Sequence, residues 1–106
     1  MEASNYKDFT TKRGLKYHYY FHAPAAGKPI LLLLHGFPSL STSWAKQVPF
    51  FEQHGYGLIV PDLLGYGGSD KPYDPALYRF KAMSQDIVEL LDSENAHNVI
   101  SIGHDW

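Results

Sequence analysis

The chain has 106 residues, 44% of them hydrophobic and 15% aromatic, which suits one compact domain at most. Nine Lys and Arg against eleven Asp and Glu leave a formal charge of -2, so charge gives no reason to expect a nucleic acid or an anionic membrane as partner. No cysteine is present, which excludes disulfides, thiolate metal sites and cysteine nucleophiles. The longest aliphatic run, residues 30–34, is far too short to span a membrane, and the amino terminus carries Glu2 with no apolar stretch behind it, unlike a secretory signal. The expectation is a soluble cytoplasmic protein.

Residues 15–22 alternate, with Leu15, Tyr17, Tyr19 and Phe21 on one face and Lys16, His18, Tyr20 and His22 on the other. That period of two predicts a half-buried strand, and residues 9–11, across Lys12-Arg13-Gly14, predict its hairpin partner. A Pro- and Gly-punctuated loop follows at 23–29. Residues 30–34 are apolar on both faces, as in a central parallel strand covered by helices on both sides. Trp44, Val48 and Phe51 at helical spacing predict a short helix over 43–54, capped by Ser41 or Ser43, closed by Gly55 and kinked or split at Pro49. Residues 57–60 predict a second buried strand, ended by Pro61-Asp62, and residues 63–75 a loop rich in Gly and Pro. Leu77, Phe80, Met83, Ile87, Leu90 and Leu91 predict an amphipathic helix of roughly 16–18 residues. Residues 99–102 predict a third buried strand, which would leave an open parallel edge. A hairpin followed by strand, helix, strand, helix and strand argues for an α/β fold with a mostly parallel sheet.

Three stretches stand where such a sheet presents chemistry, at the carboxyl ends of its strands. His35-Gly36-Phe37-Pro38 follows the first buried strand; Gly36 permits a sharp turn, and an ordinary strand-ending turn accounts for these four residues equally well. Gly65-Tyr66-Gly67-Gly68-Ser69-Asp70 lacks the glycine that a dinucleotide fingerprint needs at position 70, and no Gly-Lys-Ser/Thr follows, so it reads as a tight loop. The six histidines form no metal-ligand pattern: His18 and His22 share a strand face without a third ligand. Gly103-His104-Asp105-Trp106 comes directly after the third strand. It matches the first three positions of a nucleophile elbow, Gly-x-nucleophile-x-Gly, with Asp105 as the nucleophile. A carboxylate can attack an electrophilic carbon, because the ester so formed can be hydrolysed in a second step.

Together these residues resemble the α/β-hydrolase superfamily, and within it the epoxide hydrolases. The matching stretches are His35-Gly36-Phe37-Pro38, Trp44 with Gln47-Val48-Pro49, the run from Gly55 to Pro72, and Gly103-His104-Asp105-Trp106, so that the resemblance spans nearly all of residues 9–106. It implies that Asp105 opens a small apolar epoxide to a vicinal diol through an ester, with no cofactor and no metal. It further implies an oxyanion hole made by the backbone N–H groups of Phe37 and Trp106, and a substrate pocket shaped by Phe37, Pro38 and Trp106. His35, Gly36, Gly103 and His104 would be structural.

Two related groups share the aspartate. Haloalkane dehalogenases commonly have Asn where this chain has Phe37, and fluoroacetate-type dehalogenases usually have Arg where it has Trp106. The elbow's closing glycine would be residue 107. The lid domain with its tyrosines, the charge-relay acid and the water-activating histidine would also come later. Residues 1–106 therefore read as a partial hydrolase core, without the lid domain and the carboxyl-terminal part of the core. The remaining alternative is a truncated, inactive hydrolase-like protein.

Overall fold

A computed structural model describes residues 1, 3–36 and 39–103. The hairpin forms as expected, with β1 (Tyr6–Thr10) antiparallel to β2 (Lys16–His22) and Phe9 opposite Tyr17. Its turn closes through Thr11 N–H to Leu15 O at 2.9 Å and Gly14 N–H to Thr11 O at 2.9 Å, with Gly14 at φ 81°. β1 begins three residues earlier than the sequence pattern predicts, because Tyr6 stacks on His18 across the pair.

The strands β3 (Ile30–Leu34), β4 (Gly57–Pro61) and β5 (Val99–Gly103) complete one sheet in the order β1-β2-β4-β3-β5. β3 pairs parallel with both β4 and β5, and β2 pairs antiparallel with β4. Four strands thus run one way and β2 alone runs against them. Neighbouring residues of β3 point to opposite faces and divide the core in two. Ile30 and Leu32 join Tyr17, Tyr19, Ile59, Leu64 and Leu90 beneath the helix α2 (Phe80–Ser93). Leu31 and Leu33 join Tyr20, Val48, Leu58 and Val60 beneath the helix α1 (Val48–Gln53).

Four sequence expectations need correction. First, β2 is not half-buried by face: Tyr20, on the face predicted polar, is 1% exposed, because α1 covers that side as α2 covers the other.

Second, the helix predicted over 43–54 is split, as expected, into a 3-10 turn at Ser41–Trp44 and α1, but the break precedes Pro49 and the cap differs. Pro49 lies in the first turn of α1, where no N–H is needed, so it starts the helix and does not kink it; Gln47, and neither serine, is the N-cap.

Third, the second helix is shorter than predicted. Leu77 belongs to a 3-10 turn, Pro75–Tyr78, whose N-cap Asp74 accepts the Ala76 N–H at 2.9 Å; the backbone is extended at Arg79 before α2 begins.

Fourth, β5 is not buried among the described residues: it is the sheet's edge there, and Ile100 is 49% exposed.

Both helices end in the same way. Gly55 at φ 83° follows α1, with its N–H on Glu52 O and the Tyr56 N–H on Phe51 O; Asn95 at φ 54° follows α2, with its N–H on Asp92 O and the Ala96 N–H on Leu91 O. These paired bonds satisfy carbonyls the helices would otherwise leave open.

Candidate active site

The register of the sheet sets the site. Leu34, the last residue of β3, stands opposite Gly103, the last residue of β5. β3 and β5 therefore end at one level as adjacent parallel strands, about 4.8 Å apart in the sheet. Of the residues singled out in the sequence, His35, Gly36 and Gly103 are described. Phe37, Pro38, His104, Asp105 and Trp106 lie outside the described residues.

His35 is 4% exposed, and both its ring nitrogens are engaged. Nε2 accepts the Leu63 N–H at 2.9 Å, which leaves the proton on Nδ1, 3.0 Å from Gly36 O. In this tautomer the ring ties the loop after β3 to the loop after β4. The Ser39 hydroxyl also donates to Gly36 O, and the Tyr66 ring meets the His35 ring edge-on at 5.0 Å.

The loop after β4 is held just as firmly. Asp62, 5% exposed, accepts the Ser41 N–H on Oδ1 at 2.8 Å and the Gly68 N–H on Oδ2 at 3.1 Å. A Cβ on Gly67, whose φ is 51°, would stand 2.4 Å from Asp62 Oδ2, so only glycine lets the chain wrap this closely around the carboxylate. The Ser69 hydroxyl donates to Asp62 O and accepts the His18 N–H at 2.8 Å. Asp70 takes the Lys16 N–H at 2.7 Å. Tyr6 and Ser41 share a hydroxyl hydrogen bond of 2.8 Å; burial, with the nearby Asp62 carboxylate adding to it, raises the Tyr6 pKa.

Sequence reasoning read Asp62 only as the end of a strand. Its role depends on donors 21 and 6 residues away, and the one local signal is the adjacent Gly67-Gly68 pair. Asp86 was missed as well. It is 1% exposed on α2 and accepts from Arg13 Nε at 2.9 Å, from Arg13 Nη2 and from the Tyr17 hydroxyl at 2.7 Å. Burial first, then the bond to Asp86, pushes the Tyr17 pKa well up; burial and Glu94 do the same at Tyr19. Among the described residues no three His, Asp or Glu side chains converge as metal donors.

Beside the strand ends lies a cavity of about 540 Å³, walled by Leu34, Leu63, Leu64, Tyr78, Phe80 and Met83 and touching His35, Gly36 and Gly103. Its wall is mostly apolar and accepts any apolar group, so the cavity alone identifies no substrate.

This topology, with motif residues leaving neighbouring strand ends, matches a known family. Residues 29–106 match the family model described as the alpha/beta hydrolase fold. The chain belongs to the α/β-hydrolase fold family. Among its relatives, it is 41% identical over 80 residues to epoxide hydrolase A of Mycobacterium tuberculosis, covering 76% of this chain and 25% of the relative. It is 42% identical over 93 residues to epoxide hydrolase 4 of Mus musculus, covering 88% and 25%. Among solved structures, epoxide hydrolase A from Mycobacterium thermoresistibile superposes with a TM-score of 0.82 at 33% identity, covering 95% of this chain and 32% of that one. Epoxide hydrolase VrEH1 from Vigna radiata superposes with a TM-score of 0.83 at 33% identity, covering 100% and 32%. The chain thus spans a quarter to a third of the length of these relatives. Among the described residues, no helix is long and apolar enough to cross a membrane.

Proposed function

We propose that the chain is the nucleophile-bearing part of an epoxide hydrolase. A carboxylate oxygen of Asp105 attacks an epoxide carbon; the ring C–O bond breaks, its electron pair stays on oxygen, and that oxygen takes up a proton. The product of this step is a hydroxyalkyl ester of Asp105. Water then adds to the ester carbonyl, and negative charge develops on the carbonyl oxygen. The backbone N–H groups of Phe37 and Trp106 receive that charge in the role of an oxyanion hole. Collapse of the adduct releases the vicinal diol and restores the carboxylate, with no metal or cofactor drawn into either step.

The observation that carries this reading is the Leu34–Gly103 register, which starts the two motif stretches side by side at the carboxyl end of the sheet. The chain's similarity to epoxide hydrolases supports this reaction among those an aspartate nucleophile can run. Phe37, with no side-chain donor for a departing halide where haloalkane dehalogenases commonly have Asn, and Trp106, where fluoroacetate-type dehalogenases usually have Arg, favour an epoxide.

The test is one turnover of styrene oxide by excess full-length protein in ¹⁸O-labelled water. Label is expected in the peptide containing Asp105 and not in the diol, because water attacks the ester carbonyl. Label in the diol with none in that peptide would mean direct attack of water on the epoxide and would overturn the ester mechanism.

A further inference from the structure

We infer that β5 is a self-pairing surface: the 106-residue chain docks a second copy of itself along that strand, antiparallel, with Ser101 level with the two-fold axis. The inference stands apart from the proposed reaction and uses only strands of the described sheet.

Among the described residues the sheet has two edges, β1 and β5, and they differ in chemistry. β1 reads Tyr6-Lys7-Asp8-Phe9-Thr10 and β5 reads Val99-Ile100-Ser101-Ile102-Gly103. An edge strand offers a row of backbone N–H and C=O groups to a further strand, and proteins commonly protect such an edge with charge or proline. β5 carries neither. Its Ile100 is 49% exposed, whereas Leu31, the residue opposite it in the ladder, is 4% exposed.

Two copies that continue one sheet edge to edge are related by a two-fold axis perpendicular to it, level with one residue of each strand. With the axis level with Ser101, the middle of β5, Ile100 faces Ile102 of the second copy and Val99 faces Gly103. Ile100 and Ile102 share the face covered by α1, where Ile102 already packs on the cluster of Leu31, Leu33 and Val60. Facing isoleucines extend that cluster from one copy to the next, with no charge to desolvate. β1 behaves in the opposite way. An axis level with Asp8 sets two carboxylates face to face, and one level with Lys7 sets two ammonium groups face to face. Pairing through β5 therefore closes as a dimer and leaves β1 outermost at both ends, where it recruits no third copy. A five-residue strand pair falls in the class of small interfaces, below about 1,200 Å², so the dimer forms and dissociates with concentration.

Sedimentation of the 106-residue chain at rising concentration is expected to show a monomer–dimer equilibrium with no larger species. Ile100→Lys sets an ammonium group against Ile102 of the second copy at two symmetric places, and is expected to weaken the dimer by ~10-fold. Disulfide trapping reads the register, since the chain has no cysteine of its own. Residues directly opposite in an antiparallel pair lie within reach of a disulfide, whereas Ile100 and its symmetry mate stand two residues apart along the strands, beyond the ~7 Å that a disulfide spans. Under mild oxidant Ser101→Cys is therefore expected to give a covalent dimer and Ile100→Cys alone is not. An equimolar mixture of Ile100→Cys and Ile102→Cys chains is expected to cross-link again.

A chain that stays monomeric at about 200 μM, or that shows no cooperative melt and so presents no folded edge, overturns the proposal. Equal cross-linking of Ser101→Cys and Ile100→Cys overturns it as well, because collision without register would explain both. A dimer that Ile100→Lys leaves unchanged would put the contact elsewhere on the surface and would also refute it.

Discussion

Replacing Asp86 with Ala tests how α2 is fastened to the hairpin. The Asp86 carboxylate is 1% exposed and takes two nitrogens of Arg13 and the Tyr17 hydroxyl, which lie 73 and 69 residues away in the chain. Removing one partner of a buried ion pair costs about 3–5 kcal/mol, mostly because the other charge is left without compensation. The Arg13 side chain is 25% exposed and can reach water, which favours the low end of that range. Tyr17 is fully buried and its hydroxyl would lose its acceptor, a penalty of about 1–3 kcal/mol that partly overlaps the first. The expected loss is about 3–4 kcal/mol, or roughly 10²–10³ in a local opening equilibrium. Hydrogen exchange of α2 and β2 amides in the full-length protein measures it directly. Asp8→Ala is the reference: it breaks the exposed Asp8–His18 pair and is expected to cost about 1 kcal/mol or less. Arg13→Met combined with Asp86→Leu is expected to recover most of the loss, since no orphaned charge remains. If Asp86→Ala costs no more than Asp8→Ala, the buried carboxylate does not tie α2 to the hairpin and the reasoning fails.

Three further outcomes are expected. Tyr17 and Tyr19 carry raised pKa values, so the stability they contribute is fully present below their ordinary value near 10 and is lost as pH rises above it; alkaline unfolding is expected to shift to higher pH in Tyr17→Phe, and an unchanged alkaline limb in denaturation curves would contradict this. Gly67→Ala places a methyl against Asp62 Oδ2 at a positive φ, and the strain of the left-handed backbone alone is worth about 1–2 kcal/mol, so a thermal midpoint equal to the parent's would refute the close packing. The 106-residue chain expressed alone presents β5 as a parallel edge with Ile100 half exposed, and it is expected to self-associate or to lack fixed packing; a monodisperse monomer with a cooperative melt, seen by sedimentation and calorimetry, would overturn that expectation.

Much of the architecture is legible from local periodicity, since a strand alternates every two residues and a helix repeats every 3.6 whatever lies around it. That is why Tyr17-to-Phe21 is recognisable as a strand, while residues 30–34 and 57–60 are recognisable as short, bounded, wholly apolar runs, so that His35-Gly36-Phe37-Pro38 and Gly103-His104-Asp105 are expected at strand ends from the sequence alone. Helix boundaries depend on finer geometry. Proline suits the first turn of a helix because its missing N–H is not needed there, so Pro49 begins α1, and Leu77 falls in a 3-10 turn opened by Pro75. Only the tertiary structure decides the strand order β1-β2-β4-β3-β5, the burial of Tyr20 under α1, and the opposition of Leu34 and Gly103 at the ends of β3 and β5. It alone gives Asp62 and Asp86 their roles, because the significance of a buried carboxylate lies in which donors converge on it. Apart from Gly68, six residues on, those donors come from 21, 69 and 73 residues away, beyond the reach of any local pattern.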